Sequence, residues 1–182
     1  MKDTLISRRE FLKDIGMIGA GVLLSASPWL SAFSEVVETS GEKCRLAIIG
    51  PGSRGRFLMS FLVQNPKVEI VALCDIYQPS IEKALELAPK AKVYDDYREI
   101  LEDKTVDAVL VATPLNSHCQ IVLDAFDAGK HVFCEKSIGF TMEECFRIYN
   151  KHISTEKVFF TGQQRLFDPR YIKACLLYTS PS

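Results

Sequence analysis

Hydrophobic positions along this chain follow two alternating rhythms. Uninterrupted apolar runs, "CRLAII" (44–49), "VEIVALC" (68–74), "DAVLVAT" (107–113) and "HVFC" (131–134), read as strands covered on both faces. The shorter "AKVY" (91–94) and "KVFFT" (157–161) bring the strands to six. Between them lie segments of helical period: "RGRFLMSFLVQ" (54–64), Pro79 to Leu87 with proline at its start, and a turn or two around Tyr97 to Glu102. "SHCQIVLDAFDAG" repeats its apolar face at Ile121, Val122, Ala125 and Phe126 and stops at Gly129, a natural residue for a helix end. The helix from Thr141 to about His152 opens on a capping box between Thr141 and Glu144. Six strands alternating with five helices predict an α/β fold, a doubly wound parallel sheet of the Rossmann type with strand order 3-2-1-4-5-6.

The turn after the first strand carries the chemistry. "LAIIGPGSRG" matches G-x-G-x-x-G through Gly50, Gly52 and Gly55, between a strand and a helix, the context that gives this pattern meaning. Gly50 permits the tight turn, Gly52 lets backbone approach a pyrophosphate, and Gly55 lets the helix pack on the strand. The N–H groups of Ser53, Arg54 and Gly55, with the helix dipole behind them, suit phosphate. Asp75 closes the second strand, 20 residues after Gly55, placed to accept hydrogen bonds from ribose hydroxyls. These features predict a dinucleotide site. The carboxylate of Asp75 stands where a 2′-phosphate would lie, and no basic residue follows it directly in "DIYQP", so NAD is expected and NADP less so.

The first 34 residues depart from both rhythms. Lys2, Arg8, Arg9 and Lys13 precede "IGMIGAGVLL" (15–24), a basic region followed by an apolar run too short to span a bilayer. "SRREFLK" (7–13) is similar to the twin-arginine export motif, and Ala32 and Ser34 offer small residues for cleavage. Residues 1–34 are expected to be a twin-arginine signal peptide and 35–43 a polar linker. The protein is then exported or periplasmic, with the twin-arginine machinery as a partner. That route moves folded proteins and suits a chain that captures its cofactor beforehand.

Composition narrows the remaining classes. The net charge of −1 with no basic patch argues against nucleic acid as a partner. None of the six cysteines has C-x-x-C spacing, so no metal, haem or redox site is expected, and free buried thiols are favoured over disulfides.

Three further strings carry a family resemblance: "ATPLNSHCQIV" (112–122), "AGKHVFCEKSIG" (128–139) and "TGQQRLFDPRYIKA" (161–174). Together with the glycine turn, they resemble the NAD(P)-binding Rossmann domain of the glucose–fructose oxidoreductase / inositol dehydrogenase family (Gfo/Idh/MocA) over residues 44–174. The resemblance implies that Thr113 and Pro114 pass beside the nicotinamide half of the cofactor, with Asn116 and His118 close by. It places Glu135 near the nicotinamide ribose and Lys136 between nicotinamide and substrate as the catalytic residue. Gln163, Gln164 and Arg165 would line the substrate entrance. From the residues alone, His118 reads first as a polar first-turn residue of a helix, and Lys136 could be a solvated loop lysine. The family usually has proline after Glu-Lys; here Ser137 stands there, and a trans peptide is expected because a cis bond before a non-proline residue costs about 2.5–4 kcal/mol.

The same resemblance implies a second α/β domain carrying most substrate contacts, through which a homo-oligomer could form. The ending "CLLYTSPS" (175–182) does not read as a continuing helix and resembles translated adapter sequence, so it is expected to be foreign and the chain a fragment. Implied for the intact protein is a hydride-transferring oxidoreductase acting on a sugar, polyol or related hydroxyl compound. The alternatives are an NAD-dependent glycosidase working by transient oxidation and elimination, and a dinucleotide-binding module without chemistry. The fragment itself is expected to be inactive.

Overall fold

The computed structural model describes residues 43–163, 165 and 168–179. The expected signal peptide, all of the linker but Lys43, Gln164 and the last three residues lie outside the described residues. Strands β1 (Cys44–Ile49), β2 (Val68–Cys74), β3 (Lys92–Tyr94), β4 (Ala108–Val111), β5 (His131–Cys134) and β6 (Phe159–Thr161) form one sheet in the order β3-β2-β1-β4-β5-β6. Every pairing is parallel. The expected topology is therefore the observed one.

Helices α1 (Ser53–Leu62), α2 (Gln78–Leu85), α3 (Tyr97–Glu102), α4 (Leu115–Asp127) and α5 (Met142–Ile153) make the crossovers, and α6 (Pro169–Thr179) follows the last strand. Alternate residues of β1 explain the unbroken apolar strands. Leu46 and Ile48 pack with Leu58, Met59 and Leu62 of α1 and Ile81 and Ala84 of α2. Ala47 and Ile49 pack on the other side with Ile100 of α3, Ile121, Val122 and Phe126 of α4, and Ile148 of α5. With helices on both faces, a strand has no wet side on which polar residues could alternate.

Local chemistry sets the element ends. Asp96 accepts from the Arg98 N–H to start α3, and Thr141 and Glu144 form the expected capping box at α5. Asp75 Oδ1 accepts from Tyr77 N–H at 2.9 Å, so α2 begins at Gln78 with Pro79 in its first turn. β6 is shorter than its apolar run because Val158 N–H donates to His131 Nδ1, 3.0 Å away. α6 corrects one expectation: the helix passes through Cys175 to Thr179, with no glycine or proline between Pro169 and Thr179 to stop it.

Charged groups fasten the lower edge of the sheet. Arg45 grips Asp107 through Nε (3.0 Å) and Nη2 (2.7 Å), and its own N–H donates to the same carboxylate at 2.9 Å. Lys130, buried, donates to the carbonyls of Asp103 and Val106 at 2.7 and 2.9 Å. All six cysteines are free thiols, four of them buried. Burial pushes the Cys44 and Cys74 thiols up to about 11, which keeps them neutral. Among the described residues no helix is long and apolar enough to cross a membrane.

Leu110 sits fully buried in central β4, whereas Leu177 on α6 is 72% exposed. Leu110→Ala is expected to lower the unfolding free energy in urea by about 2–5 kcal/mol. Leu177→Ala should stay within about 0.5 kcal/mol of the parent.

Candidate cofactor and active site

β1 and β4 are neighbours in the sheet, yet their following helices α1 and α4 leave toward opposite faces. The crevice between those two connections is where ligands of open parallel sheets bind. One side of it is the glycine turn. Gly50 has φ +84, and a Cβ there would lie 2.7 Å from Thr113 N, so only glycine lets β1 turn against the end of β4. A Cβ at Gly55 would come within 2.5 Å of the Gly50 carbonyl oxygen, which fixes how closely α1 approaches the turn. Arg56 Nη1 donates to Pro51 O at 2.8 Å and braces the turn from the helix side.

Gly52 is different. Its φ of −64 is ordinary, and a Cβ added to it meets nothing within 4 Å. Neither backbone strain nor protein packing asks for glycine here; the open space in front of it does. As N-cap of α1, Gly52 offers no side chain to the first N–H groups of that helix. An open space faced by unsatisfied N–H groups and the positive end of a helix fits the pyrophosphate of a dinucleotide.

The cleft beyond has a volume of about 380 Å³ and is lined by Arg54, Ala112, Thr113, Leu115, His118, Glu135 and Lys136. Five of those seven belong to the predicted set. Ala112 and Leu115 were not predicted, because small and apolar lining residues leave no chemical signal in a sequence. Glu135 is 5% exposed, and its carboxylate is held from two sides: Arg54 Nε donates to Oε1 at 2.7 Å and Lys136 N–H to Oε2 at 3.1 Å. Gly162, after β6, gives it room, since a Cβ there would meet Oε2 at 2.7 Å. The glycine of "TGQQR" was the available signal for that contact.

His118 is 1% exposed and engaged on both sides, Nε2 lying 2.8 Å from Thr113 O and Nδ1 2.8 Å from Ser137 O. It thus ties the end of β4 to the loop after β5. That loop corrects the expectation for Ser137: the Lys136–Ser137 peptide is cis. Tertiary hydrogen bonds between His118 and Ser137 and between Arg54 and Glu135 hold the loop on either side of that bond, and a local preference read from residue types takes no account of them. The Lys136 side chain is exposed at the cleft.

The other predicted residues lie apart from the cleft lining. Asp75 stands at the end of β2, on the far side of β1, the adenosine side of a Rossmann crevice. Ser53, Pro114 and Asn116 are exposed in the first turns of α1 and α4 or just ahead of them, and Ser117 Oγ donates to Pro114 O at 2.7 Å. Arg165 lies over the Tyr171 ring at 5.0 Å. Among the described residues no group of His, Cys, Asp and Glu could hold a metal ion.

Residues 44–163 match the oxidoreductase family Gfo/Idh/MocA, NAD-binding Rossmann fold. The chain belongs to that family. Family membership and the glycine cradle agree on NAD as cofactor, and solved neighbours carry NAD(H). The chain is similar to a glycosyl hydrolase family 109 protein of Stenotrophomonas maltophilia, 34% identical over 162 residues, which covers 82% of this chain and 34% of that protein. It is also similar to an alpha-N-acetylgalactosaminidase of Shewanella oneidensis, 31% identical, covering 84% and 38%. Among solved structures it resembles the Lactobacillus casei myo-inositol dehydrogenase in complex with NAD(H) and myo-inositol. That likeness has a TM-score of 0.69 at 33% identity, over 75% of this chain and 42% of that one. The chain thus spans between a third and two fifths of the length of the curated relatives it matches.

The first two glycines of the turn separate folding from binding. Gly52→Val is expected to leave urea stability within about 0.5 kcal/mol while weakening NAD binding at least about tenfold by calorimetry. Gly50→Val should lower stability by more than about 1 kcal/mol, because it combines a positive φ with a backbone clash.

Proposed function

We propose that this chain is the cofactor-binding part of an exported NAD-dependent enzyme acting on a sugar, polyol or related hydroxyl compound. The observation that carries the reading is one cleft in which the Lys136 ammonium and the buried Glu135 carboxylate open next to the Gly52 cradle. NAD, when bound, supplies a hydride acceptor. The turn N–H groups of Ser53, Arg54 and Gly55 would hold its phosphates, and Asp75 its adenosine ribose hydroxyls, which favours NAD over NADP. Glu135, fixed by Arg54 and the Lys136 N–H, suits a hydroxyl donor on the nicotinamide side. His118 positions the Lys136–Ser137 loop through its two carbonyl contacts. Lys136 would then donate to the substrate oxygen, holding it while the hydroxyl proton passes to solvent at the open cleft and charge grows on the oxygen.

A second reading is favoured by the two glycosidase relatives. In it, the same oxidation would be transient: the carbonyl would acidify the neighbouring C–H so that elimination releases the aglycone, water would add to the resulting double bond, and reduction of the carbonyl would leave a hydrolysis with no net redox change. Both readings use Lys136 at the same oxygen. They differ in whether reduced cofactor accumulates.

The intact protein, of relative-like length, should be incubated with NAD and with inositols, hexoses or aryl glycosides. Net NADH supports the dehydrogenase; aglycone release without net NADH supports the glycosidase. Lys136→Met is expected to lower kcat by about 100-fold while NAD affinity is kept. Turnover that survives this substitution undiminished, or a protein that yields neither product, counts against the proposal.

Export rests on the paired arginines ahead of a short apolar run. Replacing Arg8 and Arg9 together by Lys should hold a fused reporter in the cytoplasm. Unimpaired export of that variant would remove the twin-arginine assignment.

A further inference from the structure

Helix α5 presents an apolar stripe to solvent. Met142, Phe146, Tyr149 and Ile153 are 70%, 60%, 60% and 61% exposed, and Phe140, just ahead of the helix, is 69% exposed. On the opposite side of the same helix Ile148 is fully buried in the core. The exposed positions recur at intervals of four, three and four residues, the spacing of a seam between two packed helices. Folding has already satisfied α5 otherwise: its first turn is closed by the capping box, and Lys151 pairs with Asp127 of α4. An exposed contiguous apolar stripe of this size marks an interaction surface.

We propose that the stripe docks on the same stripe of a second copy of this chain, with the two α5 helices antiparallel about a two-fold axis. Such an axis, passing between Phe146 and Tyr149, sets Met142 against the partner's Ile153 and Phe146 against the partner's Tyr149, so each of the four helix positions meets another apolar one. The charges agree with that direction and oppose the parallel one. The first turn of α5 is acidic, with Glu143 and Glu144, and the last turn is basic, with Lys151 and His152. Antiparallel packing brings each acidic end beside the partner's basic end and pairs the helix dipoles head to tail. Five side chains, each hiding on the order of 100–150 Å², would cover about 600 Å² per copy. That reaches the lower bound of specific interfaces, about 1,200 Å² in total, and describes a reversible dimer. The stripe shares no residue with the cofactor cleft, so the dimer stands independently of the proposed activity.

Sedimentation velocity on the 182-residue chain tests it. The parent should pass from monomer to dimer between roughly 1 and 100 µM. Phe146→Glu and Tyr149→Glu should each remain monomeric over that range, with thermal unfolding unchanged because both side chains already face water. Leu177→Glu, on the exposed face of α6, should dimerise like the parent. A parent chain that stays monomeric overturns the proposal, and protection of α5 amides from exchange in that monomer would assign the stripe to another segment of the chain. A dimer that survives Phe146→Glu overturns it equally, since association would then run through a different surface.

Discussion

The close approach of the glycine turn to the end of β4 is the contact on which the site depends. Gly50 reaches it only with a positive φ and without a Cβ, since Thr113 N occupies the space a side chain would need. From that contact the rest follows in order. The Gly50 carbonyl sets the distance of α1 through Gly55, and α1 then presents its uncapped N-terminus beside Gly52. On the other side, Thr113 offers its carbonyl to His118, which holds the loop carrying Lys136. A bulkier residue at position 50 would therefore displace both walls of the cleft at once.

Electrostatics at the cleft are arranged across elements. Arg54 belongs to α1 after the glycine turn and Glu135 follows β5, and the 2.7 Å contact between them spans 81 residues of sequence. Glu135 is nearly buried, which would be costly for a carboxylate left alone. The Arg54 guanidinium and the Lys136 N–H offset that cost and leave the Lys136 ammonium exposed at the opening. Gly162 contributes by absence, because any side chain there would occupy the carboxylate's place.

The polar clusters away from the cleft serve the frame. Arg45 with Asp107, and Lys130 with the carbonyls of Asp103 and Val106, tie the amino ends of the central strands together. Tyr97 donates to Asp124 at 2.7 Å and joins α3 to α4. These contacts steady the sheet edge opposite the site, so the carboxyl edge keeps its shape while its loops stay open to ligand.

Much of the fold was legible in the sequence because it is written in local periodicities. Six apolar runs, the helical faces between them, the capping box at Thr141 and the glycine spacing at Gly50 to Gly55 each depend on residues within one turn or strand. The same locality made Asp75 visible, since it must close the second strand. What remained hidden was decided by distance through space. Nothing near Glu135 in sequence reveals that Arg54 is its partner, nor near His118 that Ser137 is one of its two anchors. The cis peptide at Lys136–Ser137 ran against a preference read from residue types alone, because hydrogen bonds from two other parts of the chain, His118 to Ser137 and Arg54 to Glu135, hold that loop. The α5 stripe was equally hidden: its apolar residues look like core until the sheet shows that Ile148 is buried and Met142, Phe146, Tyr149 and Ile153 face out. The sequence by itself determined the elements, their order and the phosphate-binding turn, since those obey local rules. Only the tertiary structure decided which side chains share the cleft and which apolar face is left uncovered, because both depend on where the sheet brings distant segments together.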